Sequence, residues 1–380
     1  MTAYMVYGSS VGDPDVRHEV AEPVTDPVVF IEHEGGRVIV APPFERAVFS
    51  RREDIFDEVW TYTDLGAEQL VGEESFPEAL MGPELTLRAL RRAGLSSVVV
   101  PPGLPVAVAD HLRASGIEVT PDAETAWERR RRKTPWELEG IERAQRAADT
   151  AMLAAGRMVR SAEPTADGHL RFEGEILTAE LVREAMASDL LAQGAEADVI
   201  LVQSGDACLT GHDEGRGPIL PDRTCVVDCF PRDRRTGMHT DMTRTFVPGA
   251  ASEEVERMHR HCRAALDVAF EEIRPGSDKA FAKVTEYFHS LGYPTQVHDG
   301  SETPLRKGFI HSLGHGVGLE VHERPSLGRR SDELRAGDVV AVEPGLYFEG
   351  VGCVRLEDTV LVTDGGVEHL TDPFSYDLEP

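Results

Sequence analysis

Short apolar blocks punctuate the first third of the chain. Val28–Glu32, Arg37–Pro42 and Ser97–Pro101 are rich in Val or Ile and bounded by Gly or Pro, the pattern of strands. Leu85–Gly94 and Val106–Ser115 carry helical spacing between them. After the basic run at Arg129–Lys133 the pattern changes. Thr134-Pro135-Trp136-Glu137 opens a helix, with a threonine to cap, a proline suited to the first turn and a glutamate placed for a capping box. Ile141, Ala144, Ala148, Ala151 and Ala155 then repeat at three and four, which gives one apolar face. A second helix is expected over Leu177–Met186, and buried strands over Val199–Val202 and Thr224–Phe230. Ser252–Ile273 reads as a long helix stopped at Pro275-Gly276, with Ser277 capping the next one. From Phe309 to Leu370 the pattern is strands and turns. The expected class is α+β: an N-terminal α/β domain over residues 1–130, then a second domain over 131–380 with a curved, mostly antiparallel sheet.

Charge narrows the partners. With 67 acidic against 39 basic residues the net charge is -28, which disfavours nucleic acid and anionic membranes as partners. In so acidic a chain the run RRRRK at 129–133 reads as a solvated helix end or linker. No uncharged apolar stretch is long enough to span a bilayer, and the first residues lack the features of a signal peptide, so a cytoplasmic location is expected. Five cysteines without CxxC spacing (Cys208, Cys225, Cys229, Cys262 and Cys353) read as buried free thiols.

Four acidic residues stand where strand patterns predict burial. Asp228 ends the run Cys225-Val226-Val227, and Asp241 opens Asp-Met-Thr-Arg-Thr-Phe. Glu343 follows Val339-Val340-Ala341-Val342, and Glu357 ends Val354-Arg355-Leu356-Glu357. Burying a carboxylate costs several kcal/mol unless a positive charge accompanies it, so four together call for cations. His315, in Gly314-His315-Gly316-Val317-Gly318, adds an imidazole where glycines allow close approach. This donor set suits Mn²⁺, Co²⁺, Fe²⁺ or Zn²⁺. Two such ions would share carboxylates and activate one water between them.

The runs SLGHGVGLEVHE (Ser312–Glu323), DMTRTF (Asp241–Phe246), VEPGLY (Val342–Tyr347) and VRLEDT (Val354–Thr359) resemble those of the pita-bread metallopeptidases, peptidase family M24, which include methionine aminopeptidase, aminopeptidase P and prolidase. The resemblance covers residues 134 to about 372. It implies that Asp228 chelates one metal, that Asp241 and Glu357 bridge two, and that His315 and Glu343 complete the second. A bridging water or hydroxide would attack the scissile carbonyl, with Glu343 relaying the proton. His212, His311 and His322 match family positions around the substrate, and Arg355 matches an arginine that orients a carboxylate.

The resemblance further implies hydrolysis of Xaa-Pro bonds in short proline-containing peptides, two divalent ions (Mn²⁺ or Co²⁺ foremost), and a homodimer. The N-terminal domain favours a prolidase or aminopeptidase P over a methionine aminopeptidase. Two departures stand out. The loop between the aspartates, Asp228 to Asp241, is longer than in the family and introduces Asp233 as a rival ligand. Ser326 occupies the place where prolidases carry an arginine for the substrate carboxylate, with Arg324, Arg329 or Arg330 as substitutes. Two other readings share these residues: a binding protein that reuses the fold, and a two-metal hydrolase of a different amide or ester.

Overall fold

The computed structural model describes residues 3–72, 76–211, 213–300, 305–371 and 376–377. They form two compact units, Met1–Arg130 and Arg131–Pro380.

The first unit is built on a six-stranded sheet. Its order is Glu58–Thr61, Gly36–Ala41, Val28–His33, Tyr4–Gly8, Ser97–Val100 and Glu118–Pro121. The three expected strands are present, and three more join them. Tyr4–Gly8, Glu58–Thr61 and Glu118–Pro121 are too short or too polar for a single-sequence pattern to mark. Helices Met81–Arg92 and Val106–Ala114 bury Leu85, Leu90, Val108 and Leu112 in one of this unit's cores.

The second unit begins with the helix Pro135–Ser161. Its start is set by a full capping box: the Thr134 N–H donates to Glu137 Oε2 at 2.8 Å, and the Glu137 N–H to Thr134 Oγ1 at 3.3 Å. The apolar stripe read from the sequence is entirely buried. Ala148, Ala151 and Ala155 pack with Val202, Val227 and Phe246 of an antiparallel three-stranded sheet, Ile200–Ser204, Cys225–Cys229 and Met242–Phe246. Helices Glu253–Glu272 and Ala280–Ser290 cover a second, five-stranded antiparallel sheet. That sheet runs in the order Glu323–Leu327, Gly314–Gly316, Val339–Val342, Asp358–Thr363 and Gly366–His369. The hairpin Gly345–Phe348/Gly352–Arg355 completes the strands around the site. The mixed α+β architecture is thus as expected.

Three local expectations are corrected. Ser277 does not cap the helix at 280. Its Oγ accepts from the Lys279 N–H, inside the turn that precedes the helix. Except for the exposed Arg132, the run at 129–133 is not solvated. Arg129 forks between Glu19 and Glu32, Arg131 makes a bidentate pair with Asp338 at 2.6–2.7 Å, and Lys133 meets Glu323. An acidic chain offers each of these cations a partner, and burial follows the pairing. Finally, Cys208 and Cys353 form a disulfide across 145 residues. Sequence spacing holds no information on so distant a pair. The fold brings the turn Gly205–Leu209 against the strand Gly352–Arg355, and the other three cysteines remain free and buried.

Candidate metal centre

The acidic residues converge because the two sheets of the second unit meet along a few shared hydrogen bonds. Asp228 lies on Cys225–Cys229 opposite Thr243. Asp241 immediately precedes Met242–Phe246. Its N–H donates to Thr359 Oγ1 at 3.1 Å, and its carbonyl accepts from the same hydroxyl at 2.8 Å. Thr359 sits on Asp358–Thr363, so one threonine ties the two sheets at this ligand. Glu357 is held likewise: its N–H donates to the Thr243 carbonyl at 3.1 Å, and Thr243 Oγ1 donates to Glu357 Oε2 at 2.6 Å. The Glu343 N–H donates to the Leu313 carbonyl at 2.8 Å.

His315 is flanked by glycines for a steric reason. A Cβ at Gly314 would lie 2.0 Å from the Ala341 carbonyl oxygen, and one at Gly316 would lie 2.3 Å from that of Arg324. Only glycine lets these strands close on the imidazole. His315 Nδ1 lies 3.1 Å from the Gly316 carbonyl and donates to it, which leaves the Nε2 lone pair facing Asp241 Oδ2 at 3.7 Å.

Donor atoms of Asp241, His315 and Glu357 all lie within 4.8 Å of one another. Asp228 and Glu343 line the same cavity of about 700 Å³. The chemistry of the set fits a cation. Oδ1 of Asp228 and Oδ1 of Asp241 are buried with no hydrogen-bond partner, a costly state for a carboxylate that a metal would relieve. Burial, then the neighbouring carboxylates, raises the pKa of Asp241 and Glu357 well above the ordinary range. Burial also pushes Glu343 up to about 7, against the opposing pull of Arg355. His315 is lowered to about 4, chiefly by burial, and stays a neutral imidazole suited to ligation.

Around this centre runs a polar chain. Arg355 donates to Asp228, to Thr243 Oγ1 at 3.1 Å and to Tyr347 Oη at 3.2 Å. Tyr347 Oη lies 3.0 Å from His311 Nε2, and His311 Nδ1 lies 2.7 Å from the Ser312 carbonyl. Both ring nitrogens of His311 are therefore engaged, and its pKa is lowered to about 4 by burial and then by Arg355. His322 is exposed at the cavity, its ring edge-on to His315 with centroids 4.3 Å apart. His212 lies outside the described residues. Asp233, the rival ligand, is turned elsewhere. Arg143 holds it bidentately at 3.0 Å, and Thr236 donates to it from N–H and hydroxyl, so it builds the hairpin turn. Of the candidate carboxylate clamps, Arg324 pairs with Asp332 and Arg329 reaches Gln296. None of Arg324, Arg329 and Arg330 is among the described residues that line the cavity.

Residue-type reasoning missed Tyr347, Thr243 and Thr359. The available signal was a polar side chain inside a strand otherwise buried on both faces.

Known proteins share parts of this sequence and its fold. Over 136 residues the chain is 36% identical to the Xaa-Pro dipeptidase of Pyrococcus furiosus, covering 35% of this chain and 36% of that protein. Over 185 residues it is 31% identical to the probable dipeptidase PepE of Mycobacterium tuberculosis, covering 48% and 46%. The matched segment thus spans between a third and a half of these relatives. The fold superposes on the Xaa-Pro dipeptidase of Bacillus anthracis with TM-score 0.76 at 22% identity, covering 98% of this chain and 94% of that one. It superposes on the X-Pro aminopeptidase of Thermotoga maritima with TM-score 0.74 at 20% identity, covering 99% and 97%. Residues 139–364, more than half of the chain, match the model of metallopeptidase family M24, and the chain belongs to that family.

Proposed function

We propose that this chain is a dinuclear metal-dependent peptidase that hydrolyses Xaa-Pro bonds of short peptides. The observation that carries the reading is the buried carboxylate cluster with an orphaned oxygen on each of Asp228 and Asp241. Asp228, Asp241, His315, Glu343 and Glu357 would hold two divalent cations, Mn²⁺ or Co²⁺ in the first instance and Zn²⁺ or Fe²⁺ as alternatives. Bound there, such ions lower the pKa of water and polarise a scissile carbonyl. The protein does the rest. Glu343, at the cavity wall, takes the proton of the attacking water and returns it to the departing proline nitrogen. His322 donates to the oxyanion of the tetrahedral intermediate. Arg355 holds the Asp228 carboxylate in place, and His311 holds Tyr347 against Arg355. The family resemblance gives His212 a role in holding substrate.

His322→Ala should keep its metal content and lose on the order of 10²-fold in kcat, as when an oxyanion donor is removed. Elemental analysis alongside kinetics tests this, and loss of metal would make His322 a ligand instead.

Substrate class follows from the cavity lining. Arg355 is the one arginine or lysine among the described lining residues, and Asp228, Thr243 and Tyr347 already occupy it. A substrate carboxylate next to proline would thus find no uncommitted arginine or lysine among the described lining residues. The enzyme should cut Ala-Pro amide, or a tripeptide such as Arg-Pro-Pro, within an order of magnitude of Ala-Pro. Catalytic efficiencies measured side by side test the point. A strong preference for the free acid, abolished by replacing Arg324, Arg329 or Arg330, would restore a strict dipeptidase.

The same reading makes the protein a cytoplasmic homodimer, which light scattering of the purified protein tests. Among the described residues no helix is long and apolar enough to cross a membrane. The Cys208–Cys353 bond is almost wholly buried, with Cys208 at the wall of the cavity.

A further inference from the structure

Among the described residues the largest fully buried side chain is Arg244, a residue the proposed reaction does not use. Its Nη1 donates to the carbonyls of Thr243 at 2.9 Å and Glu357 at 2.7 Å, and its Nη2 donates to Asp358 Oδ1 at 2.8 Å. Both members of this ion pair are 1% exposed. A guanidinium buried so deeply is tolerable only when several acceptors meet it, and here all three sit next to or on the backbone that carries Glu357.

Asp358 is also placed to matter. It pairs across the sheet with Val342, so this single rung stands beside both Glu343 and Glu357. Its second oxygen accepts from the hydroxyl of Tyr376. The ring of Tyr376 in turn lies against the Arg244 guanidinium at 4.4 Å and the Arg263 guanidinium at 4.5 Å. Tyr376 lies beyond the family match, which ends at residue 364. A residue outside the matched span thus packs against the ion pair that holds the Glu357 backbone.

We propose that Tyr376 is a positioning residue for the metal centre, acting through Arg244 and Asp358 to hold Glu357 in place. The inference rests on the reading above that Glu357 ligates a metal. The physical reason is leverage. Glu357 follows the hairpin strand Gly352–Arg355, and its backbone carbonyl is fixed by Arg244, not by a strand partner. If Arg244 loses its ring support and Asp358 its second donor, the ion pair gains freedom, and the Glu357 carboxylate samples positions off the cation. Outer partners of this kind typically tune metal affinity by about 10–100-fold.

The test uses full-length Tyr376→Ala and Tyr376→Phe. Mn²⁺ dissociation constants are measured by titration calorimetry, kcat and KM at limiting and saturating Mn²⁺, and melting temperature on the chelated protein. The expected result is Mn²⁺ binding weakened about 10-fold or more in Tyr376→Ala, and less in Tyr376→Phe, which keeps the ring. In both, kcat should fall at limiting Mn²⁺ and recover at saturation, with KM for peptide unchanged. Dissociation constants equal to that of the unaltered protein in both variants would overturn the inference while leaving the proposed function standing. If Tyr376→Ala melts early without metal, Tyr376→Phe decides alone: weakened Mn²⁺ binding at an unchanged melting temperature supports the inference, and unchanged binding overturns it. An unaltered protein that binds no Mn²⁺ would overturn the proposed function, and this inference with it.

Discussion

Protein stripped by chelator is expected to show no turnover of an Xaa-Pro peptide, and to regain it on addition of Mn²⁺ or Co²⁺. The cavity leaves few alternatives. Four carboxylates face it with one guanidinium for compensation, and that guanidinium is committed to Asp228, Thr243 and Tyr347. Without cations, burial and then mutual repulsion make Asp241 and Glu357 hold protons more tightly, and burial does the same for Glu343. Asp241 and Glu357 are held well above the ordinary carboxylate range, and Glu343 is at about 7 instead of 4.5. Cations must displace those protons. Metal binding should therefore release protons near neutral pH, and apparent affinity should rise with pH. The sign for stability follows. In the metal-free protein these groups bind protons more tightly folded than unfolded. Their contribution is complete below about pH 4.5 and is lost as pH rises through the folded values, about 7 for Glu343. Calorimetric titration in two buffers of different ionisation heat measures the proton release. Full activity in excess chelator, with no metal by elemental analysis, would sink the metal mechanism.

Replacing Asp241 or Glu357 by Ala should abolish turnover and lower metal content, whereas Asp233→Ala should leave both nearly unchanged. Asp241 and Glu357 supply two corners of the donor triad with His315. Each is anchored through its backbone to a threonine of the opposite sheet, Thr359 for Asp241 and Thr243 for Glu357. Truncation therefore removes the ligand without dismantling its mount. Asp233 is buried too, but its oxygens serve Arg143 and Thr236. Its loss should cost stability, on the order of 1–3 kcal/mol for the donors left unpaired, and not catalysis. Metal content, kcat and thermal unfolding of the three variants decide the matter. Metal lost on Asp233→Ala but retained on Asp228→Ala would show that the loop after Cys229 is threaded differently.

Much of this could be read before any coordinates. The capping box at Thr134–Glu137 and the alanine stripe behind it are local signals, and a helix needs little else to declare itself. The acids were legible for the opposite reason: a charge at the end of a buried strand contradicts its surroundings, and such contradictions mark chemistry. What escaped depends on distance along the chain. Nothing near Cys208 points to Cys353, and nothing near Arg131 points to Asp338. The basic run looked solvated because its partners lie far off in sequence. His311 illustrates a finer limit: spacing placed it at the cavity, but only geometry shows its nitrogens already taken by Tyr347 and Ser312.

The candidate ligands lie in or beside strands between Cys225 and Thr363, and no two of them are neighbours in sequence. Elongation delivers Glu357 after every other donor. A nascent chain that has already folded its first unit still holds an incomplete set, with carboxylates that neither chelate nor activate water. The centre should therefore stay incomplete until Glu357 has left the ribosome. Cation capture would come only once the sheet that carries His315 has accepted its strand at Asp358–Thr363. From then on, each bound ion adds to the stability of the assembled unit according to its concentration over its dissociation constant. Metal supply would thus set how much of the finished protein survives as well as how fast it works.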